Sequence, residues 1–282
     1  MAEQLAAGPG AAWGVVPFAV LVLAALLVGV SKTAVSGVGT LSVALFATVL
    51  PARESTGVLL PLLLVGDVLA VRAYRGHADR AVLRRLLPSV AAGVLLGMVF
   101  VARTGDGVMR RTIGVLLLTV AVHQVWQRVR VRVRARARAP ERVRGRERGS
   151  GRGRGDGAGS FPLVRQHRLG TAFFGLVAGF ATMVANAGGP AMSLYLLSAG
   201  FGMLGFLGTG AWFFLLVNLV KVPFSVGLGL VTADGLALDA LLVVAVVVGA
   251  YAGRALVRRI DRGVFERLVL VFTVLTSVVL LR

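Results

Sequence analysis

Two lysines are the first residues of this chain whose type and position suggest a binding site. The chain has 31 basic residues, but only Lys32 and Lys221 are lysines, and both stand in apolar surroundings. A lone charge is costly to bury in a membrane, so such residues are usually paired or functional. Lys32 either serves an anionic ligand or extends its side chain to the lipid headgroups, and Lys221 either carries intramembrane charge or extends to the headgroups.

Lys32 belongs to a segment that interrupts a long apolar run with hydroxyls and glycines, GVSKTAVSGVGTL (29–41). Backbone that leaves a helix inside a bilayer must be satisfied within the protein or by water, so this break predicts a cavity. A short helix after the break would direct its N-terminus and positive dipole end into that cavity. A second break, MVANAGGPAMS (183–193), contains a proline well suited to begin a helix.

Two half-helix N-termini that converge from opposite parts of the chain would make an electropositive pocket for a small anion. The alternative is that two glycine-rich helix ends simply pack against each other. The residues predicted to bind the anion are Ser31, Lys32, Thr33, Ser36, Gly37, Gly39, Thr40, Asn186, Gly188, Gly189 and Pro190.

Further polar side chains lie inside apolar runs and are predicted to carry intramembrane charge or to couple transport. Asp67 lies in LLLVGDVLA, and Asn218 and Lys221 lie in LLVNLVKVP. Asp67 is expected to pair with Lys32 or with Lys221, or to carry protons. The sequence leaves these alternatives open.

The composition places the chain in a membrane. Hydrophobic residues make up 57% of it, and the mean hydropathy is +0.84. Several apolar windows reach the roughly 20 residues that cross a bilayer, and they lack a polar face. With no cysteine, a disulfide or a thiolate metal site is excluded. We therefore predict an all-α integral membrane protein.

The chain repeats itself on either side of an arginine-rich stretch. Glycines of the first break fall opposite glycines of the second at an offset of 150 residues, and Asp67 falls opposite Asn218. Further on, GVLLG (93–97) falls opposite GAYAG (249–253). Such internal repeats are typical of secondary transporters. We predict a first transmembrane repeat at 13–126, a linker at 127–165 and a second repeat at 166–282.

Each half has four to five hydrophobic segments, 8–10 in total. If the short segments 37–50 and 189–201 re-enter, each half crosses four times and the repeat is parallel. If all five segments cross, the second half is inverted. Placing the basic linker and the basic 254–267 connection inside, and the acidic 232–239 outside, favours the inverted repeat with glycine-rich helix breaks.

The linker explains much of the formal charge of +19. Between Arg128 and Ser160 it has twelve arginines against three acidic residues. It cannot bury a core, so we expect a disordered cytoplasmic loop that contacts anionic lipids. No aromatic side chain is interleaved for base stacking, so no specific nucleic acid is expected.

Catalysis is not expected. The histidines have no metal-ligand spacing, and no Walker, GxSxG or HExxH sequence is present. We expect no enzyme activity, no metal and no cofactor.

The two glycine-rich breaks, ANAGGP (185–190), GTGAWFFLLVNLVKVPF (208–224) and the duplicated body resemble the sulfite exporter TauE/SafE family. The resemblance implies a permease for small sulfur-containing anions or related organic acids, without a nucleotide-hydrolysing subunit. The family's glycines fall on Gly37, Gly39, Gly188 and Gly189. The expected partners are a small anionic substrate, the lipid bilayer of the plasma membrane, and a second copy in a homo-oligomer. The alternative function is a channel or a lipid-interacting membrane scaffold without coupled transport.

Overall fold

A computed structural model of the chain describes residues 14–34, 38–116 and 168–256, together with residues 118, 119, 122 and 126. The predicted linker (127–165) and the last predicted segment (264–281) lie outside the described residues. Two of the predicted anion-binding residues, Ser36 and Gly37, also lie outside them.

The described residues form α-helices and one short 3-10 turn, Arg75–His77, with no strand among them, so the all-α prediction is confirmed. The helices of the predicted first half are α1 (Val15–Thr33), α2 (Gly39–Val49), α3 (Ala52–Tyr74), α4 (Arg80–Arg103) and α5 (106–116). Those of the predicted second half are α6 (Arg168–Ala185), α7 (Gly189–Ser198), α8 (Met203–Gly227) and α9 (Ala233–Leu256).

Five of the described helices are long and apolar enough to cross a membrane, namely Val15–Thr33, Ala52–His77, Arg80–Arg103, Leu204–Gly227 and Ala233–Ala255. Their outer faces are apolar as well: Leu96 of α4 and Val244 of α9 are 54% and 63% exposed. Large aliphatic side chains on an outer face require lipid rather than water as their solvent. The chain is a multi-pass membrane protein.

The helices that follow the two breaks are short. α2 has 11 residues and α7 has 10. At 1.5 Å per residue each is about 15 Å long, about half of a hydrocarbon core of about 30 Å. Neither helix is long enough by itself to cross the hydrocarbon core.

Helices of the two predicted halves pack closely against each other at glycines. A Cβ atom on Gly29 of α1 would lie 2.1 Å from the carbonyl oxygen of Val246 in α9. At the matching position of the other half, a Cβ on Gly179 of α6 would lie 2.2 Å from the carbonyl oxygen of Val90 in α4. No side chain fits at such distances, so these glycines let helix backbones touch, as expected for small residues in membrane helices.

The end-to-end contacts of α3 and α8 show that these two matched helices run in opposite directions. Gly57, near the start of α3, lies against Leu230, just beyond the end of α8. Gly208, near the start of α8, lies against Tyr74, the last residue of α3. This antiparallel arrangement is consistent with an inverted repeat, which remains a prediction.

α9 begins within the acidic stretch 232–239 that is predicted to lie outside. Its first residue is Ala233, and Asp239 lies in its second turn. Asp239 is 6% exposed. The apolar residues that follow it continue the helix without interruption.

Candidate functional site

The two breaks, together with α3 and α8, surround a cavity of about 60 Å³. One water molecule needs at least about 10 Å³ of such space, so the cavity has room for a few small atoms. Its polar lining consists of Ser31, Lys32, Thr40, Asp67, Thr182, Asn186 and Asn218. Its apolar lining includes Leu63, Ala187, Phe206, Leu207, Ala211 and Phe214.

Lys32 and Asp67 form an ion pair on the cavity wall. The Nζ atom of Lys32 lies 2.6 Å from Oδ1 of Asp67, and it also stands 4.6 Å from the centre of the Phe214 ring. The other carboxylate oxygen, Oδ2, accepts a hydrogen bond of 2.7 Å from the amide nitrogen of Asn218. The Asp67 side chain is fully buried and that of Lys32 is 11% exposed. Of the two pairings left open by the sequence, the structure has the one with Lys32.

Lys221 is directed at the second break. Its side chain is completely buried, so it does not extend to the headgroups. Its Nζ atom donates a 2.7 Å hydrogen bond to the carbonyl oxygen of Thr182 and a second hydrogen bond to Oδ1 of Asn186. These are backbone and amide oxygens of the segment where α6 ends. Lys221 therefore stabilises the shape of the break through these two hydrogen bonds, and it does not line the cavity.

Asn186 is the residue at which the second break turns. Its φ of 50° is left-handed, a conformation that asparagine adopts more readily than most residues other than glycine. Its amide nitrogen donates a 3.1 Å hydrogen bond to the carbonyl oxygen of Thr56 in α3. Together with the bond from Lys221, this contact ties the break to α3 and to α8.

The first residues of α2 and α7, Gly39 and Gly189, both line the cavity. Free N–H groups and the positive end of the helix dipole belong to this end of a helix. Two short helices thus present their N-termini to one space, as the sequence analysis predicted for an anion pocket. The arrangement can stabilise a negative charge without a metal ion, and the described residues contain no group of three His, Asp or Glu that could hold one.

Two predicted anion-binding residues face away from the cavity. The hydroxyl of Thr33 donates to the carbonyl oxygens of Gly29 and of Ala250 in α9, at 3.1 and 2.9 Å. Gly188 packs on α6, where a Cβ would lie 2.8 Å from the carbonyl oxygen of Ala178. Neither residue is among those that line the cavity, because each lies on the side of its segment that packs against a helix; their contact with a ligand stays a prediction. Pro190 is the second residue of α7.

Other residues of the site were not found from the sequence. Gly66 gives the Lys32 side chain its space, because a Cβ there would lie 2.9 Å from Cγ of Lys32. Thr182, Phe206 and Phe214 line the cavity but belong to ordinary apolar runs. Only Thr182 carried a signal: it falls opposite Lys32 at the offset of 150.

A polar cavity between two helix breaks is an arrangement found in membrane transporters. The family model of the sulfite exporter TauE/SafE matches residues 21–280, nearly the whole chain. The chain belongs to the sulfite exporter TauE/SafE family, as the resemblance indicated, and this is a family of membrane transporters. No curated protein and no solved structure matches the chain.

Proposed function

We propose that the protein is a permease that moves a small anion across the plasma membrane as a secondary transporter. The observation that carries this proposal is the position of Lys32, whose ammonium lies on the wall of a cavity that also receives the N-termini of α2 and α7. A fixed ammonium and two helix N-termini favour a negative ligand over a neutral or positive one.

The lining supports a small substrate with one charged end. Lys32 and the N-termini of α2 and α7 offer donors on one part of the wall, whereas Phe206, Leu207 and Phe214 make another part apolar. A sulfur-containing oxyanion, a short sulfonate or a related organic acid has the charge for the first part. A sulfonate or carboxylate with a short carbon chain also suits the second part.

The remaining partners follow from the sequence and are part of this proposal. The arginine-rich linker contacts anionic lipids and no specific nucleic acid. The protein has no cofactor and no enzyme activity of its own.

A binding screen tests the proposed substrate class. The purified protein is heated with sulfite, sulfate, thiosulfate, short sulfonates or short carboxylates, and its Tm is recorded. We expect one chemical group of these anions to raise the Tm, because a ligand that binds only the folded state stabilises it. Lys32→Gln should lose the shift. Asp239→Asn, a buried substitution away from the cavity, should keep it. An unchanged Tm with every anion would contradict the proposal.

Flux in liposomes separates a transporter from a channel or scaffold. We expect uptake of the anion that binds to saturate with concentration, and an unlabelled anion on the far side to accelerate it by exchange. Flux that rises linearly and shows no exchange would favour a channel. Absence of flux in a protein that binds the anion would favour a scaffold.

A further inference from the structure

The ion pair between Lys32 and Asp67 has a consequence for any anion that enters the cavity. Lys32 is the cation that lines the cavity among the described residues, and Asp67 already lies 2.6 Å from its ammonium. The carboxylate thus occupies the place that the negative group of a substrate would take. An entering anion meets a pair that is neutral as a whole, although Lys32 alone would attract it.

Placing a second negative charge beside Lys32 while Asp67 is ionised costs free energy. Like charges within about 4–6 Å disfavour each other, and the effect is strong where water is mostly excluded. Asp67 is fully buried, so solvent does not screen it. The second lysine of the chain, Lys221 of α8, is engaged by Thr182 and Asn186 and does not line the cavity. It cannot move to balance the new charge without giving up both bonds.

An unpaired acceptor lies beside the carboxylate. Among the described residues, Oδ1 of Asn218 is buried and has no hydrogen-bond partner, although the amide nitrogen of the same side chain donates to Oδ2 of Asp67. Buried acceptors without a donor are rare and usually have a reason. A carboxylic acid and a primary amide pair through two hydrogen bonds, O–H to amide oxygen and N–H to acid carbonyl. Asp67 and Asn218 have one of these two bonds, and a proton on Asp67 supplies the donor for the other.

We propose, on the basis of the anion transport proposed above, that Asp67 is the site of the coupled proton: Asp67 takes up one proton when an anion binds to Lys32. A hydrated proton from solution adds to Oδ1, and no other covalent bond forms or breaks. The ammonium of Lys32 then turns from the neutral acid to the anion. Asn218 holds the protonated Asp67, so that anion and proton occupy adjacent places and move together.

A sodium ion fits this position less well. It would have to lie between Asp67 and an ammonium that is already in contact with it, and two cations repel each other at that distance. Sodium also prefers several oxygen ligands, whereas Lys32 and the amide nitrogen of Asn218 present hydrogen-bond donors to Asp67. A proton needs only the carboxylate oxygen.

Proton uptake on binding tests the proposal. The purified protein is mixed with ethanesulfonate, whose sulfonate does not titrate near neutral pH, in a weakly buffered solution with a pH indicator. Sulfite is measured in parallel, with its own titration subtracted. We expect about one proton to be taken up for each anion bound. The Kd should rise about tenfold per pH unit above the pH at which half of the anion-free protein carries a proton on Asp67. Replacing sodium by potassium should change neither quantity.

Two variants of matched shape complete the test. Asp67→Asn keeps the size and the contact with Asn218, so it should bind the anion at least as tightly as the wild type, take up no proton and show a Kd independent of pH. Asp239→Asn replaces a buried acid outside the cavity and should behave like the wild type.

The outcomes are distinct. If none of the anions binds to the wild type, the proposed transport function fails together with the inference. If an anion binds without proton uptake, or if uptake persists in a folded Asp67→Asn protein, the function stands and Asp67 is not the proton site. Binding that requires sodium would also overturn it. Should Asp67→Asn fail to fold, the uptake and the pH dependence of the wild type still decide the matter.

Discussion

At each of the two breaks a longer helix is followed by a short one, but the positive charge is held in a different place. At the first break the lysine stands on the broken helix itself and pairs with Asp67 of α3. At the second break, Thr182 stands at the position that matches Lys32 in the repeat. The lysine there is Lys221 of α8, whose ammonium donates a hydrogen bond to the carbonyl oxygen of Thr182. The position opposite Lys221 is Ala70, which is buried in α3. We infer that the first break handles the charge of the ligand and the second maintains the shape of the cavity.

The largest effect is expected from removing the charges of the first break together. In Lys32→Gln/Asp67→Asn, no lone carboxylate is left buried, so the Tm should stay close to that of the wild type. Anion binding should weaken by about 2–5 kcal/mol, which is tens- to thousands-fold in Kd. Isothermal titration measures the Kd. A double variant that binds as well as Asp67→Asn would show that Lys32 does not contact the ligand.

Removing the charge at the second break should affect stability more than binding. Lys221→Met leaves the carbonyl of Thr182 and Oδ1 of Asn186 buried without a donor, which costs about 1–3 kcal/mol for each acceptor. We expect a clearly lower Tm and, in the protein that remains folded, a Kd within about threefold of the wild type, because Lys221 does not line the cavity. If binding is lost while the Tm is unchanged, both breaks handle ligand charge and the comparison is wrong.

A smaller effect should separate the backbone of the second break from its hydrogen bonds. Asn186→Gly and Asn186→Ala both remove the side-chain bonds to Thr56 and Lys221, but only glycine adopts the φ of 50° without strain. The alanine variant should therefore be less stable than the glycine variant by about 1 kcal/mol. Thermal unfolding of the two purified variants measures the difference. Equal stabilities would show that the turn itself is not strained.

The smallest effect is expected from the segment between the halves. Deleting residues 132–158 should leave Tm and liposome flux within about twofold of the wild type, since a solvated chain contributes little burial. Flux is compared at equal amounts of inserted protein. If the deletion protein is stable and inserted but has lost flux, the prediction is wrong and the linker itself takes part in transport.

The sequence indicated several residues that line the cavity but not the contacts among them. Lys32, Asp67, Asn218 and the two glycine-rich breaks were found because charges, amides and paired glycines are conspicuous in apolar helices. Which lysine would meet Asp67 could not be predicted, because that depends on how α1, α3 and α8 are rotated about their axes. The orientation of Thr33 has the same origin: it follows Lys32 by one residue, which is about 100° around the helix, and this turns its hydroxyl to α9.

Residues without a chemical signature were missed for a different reason. Gly66 and Phe214 are ordinary members of apolar membrane segments, and only their position beside the side chain of Lys32 gives them a role. The interpretation of Lys221 as a residue that extends to the headgroups does not hold. The sequence could not show this, because the oxygens that bind its ammonium belong to Thr182 and Asn186, which are 39 and 35 positions away in the chain. Contacts at that separation are set by packing and not by local pattern.

The glycine contacts also bear on how such a chain is made and how it arose. α1 finds its closest partner in α9, and α4 finds its closest partner in α6, so the first and fourth helices of each predicted half are completed by the other half. During synthesis the groove at Gly93 on the surface of α4 has no helix packed into it until α6 has been inserted into the membrane. An ancestor of half the length could have closed that groove only with a second copy of itself. Fusion of two such copies would have made a permanent pair out of a concentration-dependent one, after which the two breaks were free to differ in where each has its lysine.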